Sequence, residues 1–131
     1  SRVGQFGARW GVNHLQPWLA GQRKEILQRQ SFLKRNFEAL ERQGWELLGC
    51  GAYFAYVKHP FANSGVDLAQ KLVAEAGILC LPGDMFAPPG TPNAAKHLRL
   101  AFANIDQTNL KEMIIQLSNL TFQLAPDSSE A

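Results

Sequence analysis

Arg99 is the residue with the clearest chemical potential in this sequence. It lies in His97-Leu98-Arg99-Leu100-Ala101-Phe102-Ala103-Asn104, which reads as one β-strand. Side chains alternate along a strand, so Leu98, Leu100 and Phe102 share one face and Arg99, Ala101 and Ala103 the other. The first face is bulky and suits a core. On the second, two methyl side chains leave open space in front of the guanidinium. Two readings stand side by side. Arg99 is an ordinary cation on a half-solvated strand face, or its planar, two-pronged donor set clamps a carboxylate or phosphate.

Other candidate constellations fall away. His14, His59 and His97 have no metal-like spacing to one another or to a cysteine, which argues against a metal site. Cys50 and Cys80 lie in apolar surroundings, away from any helix start or positive cluster. They read as buried free thiols of a cytosolic protein, with a disulfide between them the lesser alternative. Ser1, Ser31, Ser64 and Ser118 occupy no nucleophile elbow. Leu81-Pro82-Gly83-Asp84-Met85-Phe86 has one glycine and no Lys-Ser/Thr after it, so it is no phosphate loop. Thirteen Lys/Arg against eleven Asp/Glu give a net charge of +2, too little to imply nucleic acid. No apolar run approaches the ~20 residues of a membrane span, and no signal peptide is visible. The chain opens on Ser1-Arg2-Val3-Gly4 without a Met, which suggests a trimmed chain or a fragment.

The elements that must position Arg99 fit one domain of 131 residues with 46% hydrophobic content. Ser1 to Gly11 shows no clear period and reads as a lead-in. Asn13 is the expected N-cap of a helix in which Pro17 is tolerated in the first turn. Helical spacing then runs to Gln43, with Ile26, Leu33, Phe37 and Leu40 on one stripe, a kink expected at Gly21, and Gly44 as terminator. A helix of about 30 residues is roughly 45 Å long, longer than a compact chain of this size is wide. Its first half, with Trp10 and Trp18 nearby, must either project or bend around its own domain.

Trp45 to Cys50 and Ala52 to Val57 read as a β-hairpin. Ser64-Gly65-Val66-Asp67 is a capping box for a helix with Leu68, Leu72, Val73 and Ala76 on its stripe and Gly77 at its end. Ile78 to Leu81 reads as a short buried strand closed by Pro82-Gly83, and Asp84 to Ala95 as a long loop. After the Arg99 strand, Asp106 caps a last helix carrying Leu110, Met113, Ile114, Leu117 and Leu120. The tail from Pro126 is polar and expected to fray. The fold class is therefore α/β in the α+β sense. A small mixed sheet is covered mainly on one face by helices, in the order α-β-β-α-β-β-α.

Several stretches together resemble the C-terminal small domain of a class I/II, fold-type-I pyridoxal-phosphate-dependent aminotransferase. Gly44-Trp45 with Gly51-Ala52-Tyr53-Phe54-Ala55-Tyr56-Val57 is similar to that family's strand pair after its long inter-domain helix. Ala76-Gly77-Ile78-Leu79-Cys80-Leu81-Pro82-Gly83 with Phe86 resembles a further segment. Leu98-Arg99-Leu100-Ala101-Phe102-Ala103 resembles the strand whose Arg binds the substrate α-carboxylate. These motifs stand in the family's order and spacing and cover roughly Leu15 to Leu124. Arg2 to Gln5 and Trp10 to Trp18 look like the segment just after the large domain.

The resemblance implies residues 1–12 as a lead-in from a missing large domain. It implies residues 13–131 as the small domain, with the inter-domain helix at about 13–44. It implies Arg99 as the α-carboxylate anchor and Phe86 as a lining residue of the pocket. It also implies a cytoplasmic homodimer of amino-acid metabolism that moves an amino group from an α-amino acid to a 2-oxo acid. Its cofactor would be pyridoxal 5′-phosphate.

One departure is plain. None of Lys24, Lys34, Lys58, Lys71, Lys96 and Lys111 stands in the family's Schiff-base motif. No catalytic and no cofactor-binding residue is therefore expected in this stretch, and no cofactor bound to it alone. The alternative is a non-catalytic module of the same fold that binds a small ligand or a partner.

Overall fold

The structure, a computed structural model, describes residues 1–124. Its sheet starts from a hairpin of β1, Glu46–Gly51, and β2, Phe54–Lys58. Ala52 and Tyr53 form the two-residue turn, and Ala52 has φ +48°, as a hairpin turn with a left-handed first position requires. β4, His97–Ala101, pairs with β2, and β3, Leu81–Pro82, pairs with the other side of β4. The order is β1-β2-β4-β3. All pairings are antiparallel, where a mixed sheet is expected from the element order alone. The expected strand over Ile78 to Leu81 reduces to the Leu81–Pro82 pair: Ile78 and Cys80 turn into the core while Leu79 is exposed.

Helices cover one face. On β4, Leu98 and Leu100 are buried, as are Phe102 just beyond its end and Ala55 and Val57 on β2. Against them pack α2, Gln16–Asn36, through Leu33, and α3, Glu38–Glu41, through Leu40, with Phe37 between them. α4, Gly65–Ala76, adds Leu68, Ala69 and Leu72. α5, Gln107–Ser118, adds Leu110, Met113, Ile114 and Leu117. Ile26 and Leu120 are half-buried at the margin. Val73, expected on the α4 stripe, is exposed, and Ala69 takes its place. The α4 and α5 ends follow their sequence signals. Ser64 accepts from Asp67 N, Gly77 caps α4 at φ +63°, and Asp106 accepts from Asn109 N.

The N-terminal region departs most from expectation. Residues Arg2–His14 form a helix, α1, capped by Ser1 rather than begun by Asn13. Val3, Phe6 and Trp10 recur at helical spacing, but the intervening glycines hide the period. The break falls at Leu15, between α1 and α2, and not at Gly21. Pro17 explains it, because it has no N–H to donate to the carbonyl four residues back. No residue before Ile26 is more than half-buried. The α1–α2 arm therefore projects; it does not wrap its own core. No helix among the described residues is long and apolar enough to cross a membrane. The expected frayed tail from Pro126 lies outside the described residues.

Candidate functional site

The alternation that buries Leu98 and Leu100 turns Arg99 to the uncovered face of the sheet. It is half-buried there, with Tyr56 of β2 and Leu81 of β3 as its register partners. Two aromatic rings meet its guanidinium. Cζ lies over the Phe54 ring at 4.2 Å from the centroid and over the Phe86 ring at 3.9 Å. Phe54 comes from β2 and Phe86 from the turn after β3. Those strands flank β4 on opposite sides, so the rings approach Arg99 from opposite sides. Among the described residues, the ion pairs are Arg29–Glu25, Arg42–Glu38 and Lys58–Glu46. No carboxylate there reaches Arg99.

Phe86 is held in place by a tight turn. Pro82 leads into a 3₁₀ turn, Gly83–Phe86. A Cβ on Gly83 would lie 2.6 Å from the Ala94 carbonyl oxygen and from His97 Cβ, and 2.7 Å from the Tyr56 hydroxyl. Only glycine lets the turn close against β4 this tightly. Tyr56 also meets His97 edge to face, with centroids 5.2 Å apart. Burial, then the nearby Lys58 charge, lowers the His97 pKa.

Arg99 also borders an open groove of about 670 Å³. Phe54, Leu79, Leu81 and Ala101 supply apolar walls, and Glu112 and Asn109 of α5 supply polar ones. Ala101 lines this space as its small size suggests. Ala103 does not, and its carbonyl accepts from Arg29.

The structure thus brings the two sequence candidates, Arg99 and Phe86, into contact. Phe54 is not among the sequence candidates, although it stands in the expected strand Ala52 to Val57. Alternation was the available signal: with Ala55 and Val57 inward, Phe54 and Tyr56 must face outward. The remaining candidates lie elsewhere. His59 is buried between Trp45 and Phe61. Both cysteines are free. Cys80 is buried, and burial pushes its thiol up to about 11. Cys50 is only half-buried, contrary to expectation, because its strand lies at the sheet edge.

Fold and site define an α+β domain that presents an arginine, free of acidic partners among the described residues, on the open face of its sheet. The chain belongs to the family described as Aminotransferase class I and II, whose signature matches residues 7–117. No curated protein matches the chain. Among solved structures, it is similar to the N-succinyldiaminopimelate aminotransferase of Mycobacterium tuberculosis, with TM-score 0.70 and 19% identity, over 89% of this chain and 30% of that one. It is similar to YbdL of Escherichia coli, described as having a methionine aminotransferase function, with TM-score 0.68 and 22% identity, over 85% and 28%. An aminotransferase of Staphylococcus aureus gives TM-score 0.66 and 23% identity, over 85% and 28%. The chain spans less than a third of the length of each. At these identities the likeness is one of fold.

Proposed function

We propose that this chain is the small domain of a pyridoxal-phosphate-dependent aminotransferase and that Arg99 holds the α-carboxylate of the amino-acid substrate. The observation that carries the reading is the Arg99 guanidinium itself. It is half-buried, flanked by Phe54 and Phe86, and has no acidic partner among the described residues. A guanidinium in that setting offers its fork to an incoming planar anion. A carboxylate held through both oxygens leaves the substrate's Cα and amino group on the far side, pointing away from Arg99.

The residues of this chain do not fit the cofactor. Lys96 donates to the carbonyls of Phe61, Ala62 and Asn63. Lys58 pairs with Glu46, and Lys71 lies over the Phe122 ring. Lys24, Lys34 and Lys111 are exposed on helices. In this reading the cofactor is held outside this chain, residues 1–12 lead in from the large domain, and α2 with α3 joins the two. Phe86 lines the substrate pocket. The same reading makes the whole protein a cytoplasmic homodimer of amino-acid metabolism, and free Cys50 and Cys80 accord with a reducing compartment.

The test is amino transfer by the whole protein supplied with pyridoxal phosphate, an α-amino acid and a 2-oxo acid. Formation of a new amino acid supports the reading. Ligand binding without transfer would favour the non-catalytic module instead. For the cofactor, the 131-residue chain should give no stoichiometric, saturable, borohydride-trapped adduct with pyridoxal phosphate. A single such adduct at one Lys would place the cofactor site here.

A further inference from the structure

We propose that Phe54 and Phe86 form a one-layer slot around the Arg99 guanidinium that admits a planar carboxylate and rejects tetrahedral oxyanions. The proposal rests on Arg99 as the anion anchor and adds a rule for which anions it takes. The ring centroids lie 4.2 and 3.9 Å from Cζ, so they are at most 8.1 Å apart. Nonbonded atoms keep about 3.5–4.0 Å between centres. Two such spacings take up even that largest separation, so no more than one atomic layer fits, and the guanidinium fills it.

A carboxylate can extend that layer. Its two oxygens meet the guanidinium fork in plane, and nothing projects above or below. A sulfonate or phosphonate that engages the fork with two oxygens carries a third out of the plane. That oxygen would press on a ring whose face is negative in quadrupole, so charge as well as shape opposes it. Phe54 and Phe86 are therefore specificity-determining residues that act through Arg99. As a class, amino sulfonates and amino phosphonates are excluded as donors, although their charge would satisfy the arginine.

Both rings are partly exposed, Phe54 at 36% and Phe86 at 45%, so trimming either one leaves the core intact. The experiment follows the Arg99 Nε–Hε NMR signal of the 131-residue chain during titration with propionate and with ethanesulfonate, which share a single negative charge. The wild type should bind propionate about tenfold more tightly than ethanesulfonate, the scale of one overpacked contact. Phe86→Ala and Phe54→Ala should each move the ligand-free Arg99 signal and reduce that preference to about two- to fivefold, since the lost ring contact is worth about 2–5-fold. Phe86→Tyr keeps the ring and should keep the preference. If propionate binds but the preference survives both Ala variants, the slot is overturned while the anion anchor stands. If propionate produces no saturable shift, the anchor and the slot fall together.

Discussion

The guanidinium carbon of Arg99 stands 3.9 Å from the centre of the Phe86 ring. Arg99 is on a paired strand, whereas Phe86 ends a 3₁₀ turn that has no side-chain cap hydrogen bond. The contact therefore depends on how closely that turn approaches β4, and Gly83 sets the approach. Gly83→Ala should destabilise the chain by about 1–3 kcal/mol, the usual penalty for overpacking a tight site, and should displace Phe86 from Arg99. Denaturant unfolding and the Arg99 side-chain signal check the two effects. An unchanged midpoint with an unchanged signal would mean the turn closes without glycine.

His59 sets a pH dependence of stability. Among the described residues, neither ring nitrogen reaches a partner at hydrogen-bond geometry. Burial first, and then the Lys96 charge, lower its pKa to about 4; His97 adds to the fall and the Ala95 carbonyl opposes it. The fold thus favours the neutral ring, while the unfolded chain titrates at the ordinary value of about 6.5. Stability from this group is fully present above about pH 6.5. It is lost as pH falls toward 4 and changes little below that, by up to about 3 kcal/mol in all. His59→Phe should flatten the profile in that window. A variant with the same acid-side loss as the wild type would assign the loss to another group.

The three tryptophans divide by environment. Trp10 and Trp18 are each 57% exposed, and Trp45 is 1% exposed. An arm in which no residue before Ile26 is more than half-buried gains little from packing, and an isolated helix of this length is marginal. Acrylamide should quench two of the three emitters, and amides before Ile26 should exchange far faster than those of β2 and β4. Slow exchange over α1 in the 131-residue chain would mean that the arm is covered, for instance by a second copy.

Local signals were the legible part of this fold. Ser64 with Asp67, Gly77 and Asp106 mark helix ends because capping is settled within a few residues. The in-out pattern around Arg99 was legible because strand alternation needs no partner. What escaped depends on distant groups. The antiparallel order of all four strands is decided by pairing across the chain, so the element order left it open. The break at Leu15 comes from Pro17 two residues on, whereas Gly21 passes without interruption because a helix tolerates a lone glycine. The Phe54–Arg99–Phe86 contact joins a hairpin, a strand and a loop turn. The sequence names its members but not their meeting.

If Arg99 holds the substrate carboxylate, kcat/KM of the whole protein for an α-amino acid donor must differ between wild type and Arg99→Lys. An ammonium keeps the charge but loses the two-pronged geometry. The variant should fall about 10–100-fold, the worth of a hydrogen bond to a charged group, while a donor amine without a carboxylate is turned over as before. An unchanged kcat/KM for the amino acid would contradict Arg99 as the carboxylate anchor.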